Sequence, residues 1–117
     1  MMHAAEIAPT PAPPYFAVIF TSRQRATDGY IAAADAMLAL ASIQPGFLGF
    51  ESARGEDGLG VTVSYWASLE AIAAWKSQSD HRAVQEAGRA DWYQQYTVRI
   101  CSVERSYSFD AAVTAIV

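Results

Sequence analysis

The segment VTVSYWASLEAIAAWKSQSDH, Val61 to His81, changes its periodicity midway, and this change decides the fold class. β-Branched and aromatic residues at Val61 to Ala67 predict a strand, whose alternate side chains point to opposite faces. Ser68 then predicts a helix start, because its hydroxyl can accept a backbone N–H bond. Glu70 in the first turn is favoured by the helix dipole. The segment therefore predicts a strand followed directly by a helix.

The residues before this segment predict the other half of a β-hairpin. FLGFESAR, Phe47 to Arg54, reads as a strand, and the flexible GEDGLG, Gly55 to Gly60, predicts the turn that joins it to the strand at Val61. GEDGLG is not a phosphate-binding loop, because it joins two strands and opens no helix.

Further upstream, the sequence predicts one strand and one helix. YFAVIFTS, Tyr15 to Ser22, is a compact aromatic and β-branched run, hence a strand. A helix from about Gly29 to Ile43 follows, with Thr27 or Asp28 as its cap. It ends before Gln44-Pro45-Gly46, because proline disfavours helical geometry in the residue that precedes it.

Downstream, the chain breaks around Ser77 to Asp80, and a further helical segment holding Val84, Ala87, Gly88 and Trp92 is expected. YTVRICSVERSYSF, Tyr96 to Phe109, alternates strictly and predicts the fourth strand. The element order is β-α-β-β-α-β, which is typical of an α+β, ferredoxin-like sandwich with an antiparallel four-stranded sheet. We expect one domain at residues 15–109 and a tail at 110–117 that is either loose or an added edge strand. The proline-rich arm at 1–14 is expected to be extended or partly disordered, with docking on a partner subunit as the alternative.

Such a sheet carries helices on one face only, and each strand is apolar on both faces. In the first strand, one face carries Phe16, Val18 and Phe20 and the other carries Ala17 and Ile19. A second copy laid against the open face would remove it from water, so we expect a homodimer.

Composition excludes several function classes. The net charge of −4, with no basic run, argues against nucleic-acid and anionic-membrane partners. The one cysteine, Cys101, excludes an intramolecular disulfide and a cysteine-rich metal site, so we expect no metal. The opening residues lack the basic and apolar regions of a secretory signal, and a cytoplasmic location is expected.

From about Tyr15 to Phe109 the chain resembles the antibiotic biosynthesis monooxygenase superfamily. The resemblance is carried by PGFLGFES at 45–52, VSYWASLEAIAAWK at 63–76, His81, GRADWY at 88–93 and VRICSVERSY at 98–107.

The resemblance implies a dimeric α+β barrel. Two mechanisms known in the family can be compared with the residues of this chain. Quinone-forming, cofactor-independent members use a pocket asparagine with tryptophan, tyrosine and arginine. Haem-degrading members use an asparagine, a helix tryptophan and a histidine ten residues beyond it. This chain contains no asparagine; Trp75 matches the helix tryptophan, but Gln85 stands ten residues on.

The first functional hypothesis is cofactor-independent oxidation of a phenolic or polycyclic aromatic molecule. His81 would be the base, Arg99 would stabilise the oxyanion, and Tyr65, Trp66, Trp75 and Trp92 would bind the substrate. Tyr65 and Trp66 must point to opposite faces of their strand, and the sequence leaves open which faces the helices. Each of these residues also has a structural interpretation. Trp75 and Trp92 can pack the helices onto the sheet, and His81 can be a helix-start residue that caps or hydrogen-bonds locally. Arg99 can instead pair with Glu51 or Glu104.

The second hypothesis is a small-molecule-binding or stress-related dimer without catalysis. Haem binding or degradation is the third. Apart from haem in that third case, no cofactor is expected.

Overall fold

The computed structural model describes residues 6–25, 30–78, 82–83, 86–87, 89 and 92–112. Within them the chain forms β1 (Tyr15–Gln24), α1 (Tyr30–Ser42), β2 (Phe47–Arg54), β3 (Leu59–Trp66), α2 (Leu69–Ser77) and β4 (Tyr93–Val103). The predicted β-α-β-β-α-β order is confirmed.

The four strands form one antiparallel sheet in the order β2-β3-β1-β4, the arrangement predicted for a ferredoxin-like sandwich. Strand β1 is central, because it pairs with β3 on one side and β4 on the other. In register, Ile19 stands opposite Val63 of β3 and Arg99 of β4. The strands β2 and β4 are therefore the edges of the sheet.

The two faces of the sheet follow from the alternation of β1. Phe16 and Val18 pack against the core cluster of Ala41, Trp66 and Ile72, which joins the sheet to both helices. We call this the helix-side face. The opposite side, which carries Ala17, Ile19 and Thr21 on β1, is the outer face.

The structure decides the orientation that the sequence left open at the end of β3. Trp66 pairs in register with Phe16 and is fully buried on the helix-side face. Tyr65 pairs with Ala17 and lies on the outer face, where its ring meets Tyr15 edge-on at a centroid distance of 5.8 Å.

The boundaries of α2 have clear local causes. The Ser68 hydroxyl accepts a 3.0 Å bond from the backbone N–H of Ala71, as predicted for the cap. Lys76 in the last turn complements the negative end of the helix dipole. Before β2, Gly46 adopts a left-handed φ of +86°, and its carbonyl accepts a 2.7 Å bond from the N–H of Ala67. This bond ties the end of α1 to the start of α2.

The N-terminal arm covers part of the outer face. The backbone N–H of Ala8 donates to the Glu51 carboxylate at 2.9 Å, and a Cβ placed on Gly49 would lie 3.1 Å from that of Ala8. Tyr15 and Ala17 are buried within the single chain. The expectation of an outer face left wholly bare is therefore wrong at this end. Farther along the sheet, Val61 keeps 39% of its surface exposed.

Strand β4 starts and ends earlier than the alternation predicts. It runs from Tyr93 to Val103 rather than from Tyr96 to Phe109. Val103 pairs with Tyr15, the first residue of β1, and prolines precede Tyr15. Because a strand needs a partner and proline lacks an N–H donor, β4 ends where β1 begins. Beyond that point Tyr107 is 95% exposed.

Two further expectations fall partly or wholly outside the described residues. The predicted cap at Thr27 or Asp28 lies outside them. Of the segment after α2, residues 82–83 and 86–87 are helical, whereas Val84 and Gly88 are not described. No helix among the described residues is long and apolar enough to span a bilayer.

Candidate functional site

A cavity of about 420 Å³ lies between the helix-side face and the helices. This volume is within the range of about 300–1,000 Å³ that is usual for small-molecule sites. Its floor is the middle of the sheet, with Val18 and Phe20 from β1 and Thr62 and Ser64 from β3. Helix α1 closes one side, through Ala34, Met37, Leu38 and Ala41.

One aromatic group lines the α2 side of the cavity. The rings of Trp66 and Trp75 are stacked, with centroids 6.2 Å apart and planes 26° apart. Phe47 meets Trp66 edge-on at 5.3 Å. Trp66 is held in place by a 2.9 Å bond from its indole N–H to the Ser64 hydroxyl.

A second aromatic group lines the β4 side. Phe20 contacts Tyr96 in a stacked arrangement at 5.2 Å and Tyr93 edge-on at 5.4 Å. Trp92, directly before β4, also lines the cavity. Aromatic faces attract planar rings in offset or edge-on geometry, so both groups suit a flat aromatic ligand.

The polar atoms of the floor are engaged with one another. The hydroxyls of Thr62 and Ser52 lie 2.9 Å apart in a hydrogen bond, and Ser64 accepts from Trp66. The charged residues of the lining are Lys76 and Arg89, and no acidic residue lines it among those that the structure describes.

Tyr65 lies on the outer face, away from the cavity. Its hydroxyl donates a 2.7 Å bond to the Glu51 carboxylate. Burial, reinforced by the bond to Glu51 and by the negative charge there, raises the pKa of Tyr65 to about 12. Tyr65 therefore does not share a pocket with Trp66, Trp75 and Trp92, which the structure does bring together.

Arg99 is also separated from the cavity. Its neighbours Val98 and Ile100 line the cavity, so the alternation of β4 turns Arg99 to the outer face. It is exposed on an edge strand, where a guanidinium does not need an anionic partner to offset burial. Glu51, one of its two predicted partners, instead accepts bonds from Tyr65 and Ala8.

Of the remaining candidates, His81 lies outside the described residues. Cys101 is a free, half-buried thiol on the outer face of β4. Within the described ranges no cluster of three or more histidine, cysteine or acidic side chains could hold a metal ion.

The aromatic group on β4 and the two cations were not predicted from the sequence. Tyr96 could have been found by extending the Phe20 face of β1 to the strand paired with it, because Ser22 stands opposite Tyr96. Lys76 and Arg89 lie one and three residues from tryptophans that were predicted to bind substrate. That proximity was the only signal for them.

Comparison with known proteins places this geometry in a family. The sequence profile of the antibiotic biosynthesis monooxygenase family matches residues 17–87. The chain is 49% identical over 104 residues to the uncharacterized protein YqjZ of Bacillus subtilis, covering 88% of this chain and 91% of that protein.

Solved structures share the fold at low sequence identity. Rv0793 from Mycobacterium tuberculosis superposes with a TM-score of 0.71 at 16% identity, covering 80% of this chain and 99% of that one. SnoaB, a cofactor-independent oxygenase from Streptomyces nogalater, superposes with a TM-score of 0.70 at 14% identity, covering 80% and 97%. By the family profile, the relative in B. subtilis and the shared fold, the chain belongs to the antibiotic biosynthesis monooxygenase family.

Proposed function

We propose that the protein is a cofactor-independent monooxygenase that oxidises a phenolic or polycyclic aromatic small molecule in the cavity between sheet and helices. The observation that carries this proposal is an apolar, aromatic-lined cavity of about 420 Å³ in a chain of this family. SnoaB, which shares the fold, is named as a cofactor-independent oxygenase.

The reaction needs an electron-rich substrate, a base and O₂. For an anthrone, a base removes one proton of the ring CH₂, and the resulting anion gives one electron to O₂. The substrate radical and superoxide then combine, which forms a C–O bond. The peroxide anion takes back the proton from the protonated base. Its O–O bond then breaks as the second ring hydrogen is lost as a proton, so that water leaves and the quinone carbonyl remains. The sum is C₁₄H₁₀O + O₂ → C₁₄H₈O₂ + H₂O, in which the substrate is the reductant and O₂ the oxidant.

The residues divide between these tasks. Trp66, Trp75 and Trp92 form the walls that orient the ring and exclude bulk water from the reacting centre. His81 is the proposed base, because it follows α2 and its unperturbed pKa near 6.5 suits proton transfer. Tyr65 and Arg99 lie on the outer face, so we give them no part in the chemistry.

We also propose that the active form is a homodimer. Members of this family typically form dimers. The part of the outer face that the arm leaves open carries Ile19 and Val61 on neighbouring strands, and Val61 is 39% exposed. Burial of such apolar surface against a second copy contributes about 25 cal/mol per Å² before association costs.

O₂ uptake tests the activity. Purified protein is incubated with a panel of anthrones and dihydroquinones and compared with buffer, with His81→Ala and Trp75→Leu alongside. Loss of a base typically lowers the rate by about 10²–10⁴-fold, so His81→Ala should fall by that order. Trp75→Leu should mainly raise KM.

Arg99→Met and Tyr65→Phe are the matched controls, because both residues lie on the opposite face of the same sheet. Both should keep the wild-type rate per dimer. Uptake equal to buffer across the panel, with ligand binding intact, would favour a non-catalytic binding protein over the enzyme.

A further inference from the structure

The charged side chains in the described lining of the cavity all have one sign. Two cations, Lys76 and Arg89, belong to its lining, and among the described lining residues there is no carboxylate. The chain as a whole has 12 acidic and 8 basic residues, for a net charge of −4. The lining therefore opposes the sign of the whole molecule, and it can attract an anion that the remaining surface repels.

The position of the cations suggests recognition at the mouth of the cavity. Lys76 follows Trp75 in the last turn of α2, and Arg89 precedes Trp92 by three residues. Both cations are exposed, whereas the aromatic side chains beside them are half-buried. Long basic side chains lay their stems on apolar surface and keep the charged end in water. A ligand whose ring reaches the tryptophans would thus present its outer edge to two cations.

The hydroxyls of the floor already make hydrogen bonds within the protein. The Thr62 hydroxyl is bonded to Ser52, and the Ser64 hydroxyl holds the Trp66 indole. Because these hydroxyls already bond other groups of the protein, Lys76 and Arg89 are the lining residues that would select a ligand by its charge.

We infer that the ligand of this cavity is an aromatic acid, with its planar ring between the aromatic groups and its carboxylate bound by Lys76 and Arg89. This inference rests on the proposed function and names the substrate class of the same site. A carboxylic acid, with a pKa near 4, is ionised at neutral pH, whereas a phenol, with a pKa near 10, is not. The cations therefore discriminate acids from otherwise similar phenols, and arginine can bind a carboxylate through two parallel bonds.

A pair of ligands with one ring system tests this inference. Anthracene-9-carboxylate and neutral 9-anthracenemethanol are titrated into the full chain at low ionic strength, and quenching of tryptophan fluorescence reports binding. We expect the carboxylate to bind about tenfold more tightly, as two partly exposed charge contacts allow. Added salt should reduce this preference.

Lys76→Met and Arg89→Met, singly and together, remove the charge but keep an unbranched apolar stem. The double variant should lose the preference for the carboxylate and bind the neutral ligand as wild type does. Arg105→Met is the control, because Arg105 is exposed, lies outside the lining and loses the same positive charge. It should leave the affinities for both ligands unchanged.

The outcomes separate this inference from the proposed function. Equal binding of both ligands, or a carboxylate preference that survives in the double variant, overturns the acid inference but leaves an aromatic-binding cavity. If neither ligand binds a protein whose circular dichroism shows that it is folded, the cavity does not bind aromatic molecules. That result contradicts both proposals. A preference that Arg105→Met also abolishes would place the anion contact elsewhere and overturn the inference.

Discussion

Glu51 links two segments of the chain through its two carboxylate oxygens. One oxygen accepts a 2.7 Å bond from the Tyr65 hydroxyl, and the other accepts a 2.9 Å bond from the N–H of Ala8 in the arm. The hydroxyls of Thr10 in the arm and Tyr15 at the start of β1 form a further hydrogen bond of 2.9 Å. A single side chain therefore holds both a strand tyrosine and the N-terminal arm.

The titration of Tyr65 gives the first prediction. Burial and Glu51 raise its pKa from 10.0 to about 12. Between these values the unfolded chain releases the Tyr65 proton while the folded chain retains it. The unfolding free energy should therefore fall as pH rises through this window, and more in wild type than in Tyr65→Phe.

The titration of Tyr65 can be followed by near-ultraviolet absorbance as a function of pH. Subtracting the Tyr65→Phe curve from the wild-type curve leaves the contribution of Tyr65. Glu51→Gln removes the negative charge and should lower the midpoint. A Tyr65 midpoint near 10 in the wild-type protein would contradict this account of the outer face.

Gly46 provides a second prediction at the residue scale. Its φ is +86°, and a Cβ there would lie 2.7 Å from the Cβ of Ala71 in α2. Gly46→Ala should cost about 2–4 kcal/mol of unfolding free energy, from the left-handed backbone and the clash together. Urea denaturation at one protein concentration measures the change.

The variant Ala71→Gly separates these two contributions. It removes the clashing methyl group. The double variant Gly46→Ala/Ala71→Gly should therefore lose less unfolding free energy than the two single variants lose together. Strict additivity would show that the close approach of Gly46 to α2 is not present in solution.

At the scale of elements, α2 connects the hairpin to the cavity. Its N-terminus is fixed by Ser68, its buried residue Ile72 joins the core, and its last turn carries Trp75 and Lys76 to the cavity. The cap and the cavity are thus at opposite ends of one helix of nine residues.

The cap of α2 gives a third prediction. Ser68→Ala removes the acceptor for the Ala71 N–H and should cost about 1 kcal/mol of unfolding free energy. Ser68→Asp, which keeps an acceptor, should retain most of the stability. Ser77→Ala is the control at the other end of the helix, because its exposed hydroxyl only bonds carbonyls of the preceding turn. A loss at Ser77 equal to that at Ser68 would contradict a specific capping role.

At the scale of the whole molecule, the two faces of the sheet have different partners. The helix-side face holds the core and the cavity. The outer face is covered by the arm near Glu51 and Tyr15, and it remains partly exposed at Val61 and Leu59. The dimer that we propose would bury this remaining part.

Light scattering at micromolar concentration tests that dimer and should give twice the mass of one chain. Ile19→Glu places a carboxylate on the outer face opposite Arg99, where the fold tolerates it but burial against a second copy does not. We expect it to shift the protein towards the monomer.

Leu69→Glu is the matched control for this prediction. Leu69 is 52% exposed at the start of α2, away from the outer face, so the same change in charge should leave the dimer intact. A wild-type monomer, or equal dissociation by both variants, would contradict an outer-face interface.

The sequence alone determined the element order, the family and most element boundaries, because these depend on local periodicity, turn residues and caps. Strand β2 agrees at both ends, and Ser68 caps α2 as predicted. The prediction overran at β4, where alternation continued to Phe109 but pairing stopped at Val103 for lack of a partner strand.

Only the tertiary structure decided which candidate side chains meet. Alternation showed that Tyr65 and Trp66 point apart, but which of them faces the helices depends on how the sheet packs as a whole. The same packing gathers Trp66, Trp75 and Trp92 at one cavity, adds Lys76 and Arg89, and turns Arg99 away. A strand's periodicity is a local property, whereas the identity of its covered face is set by contacts between residues distant in the chain.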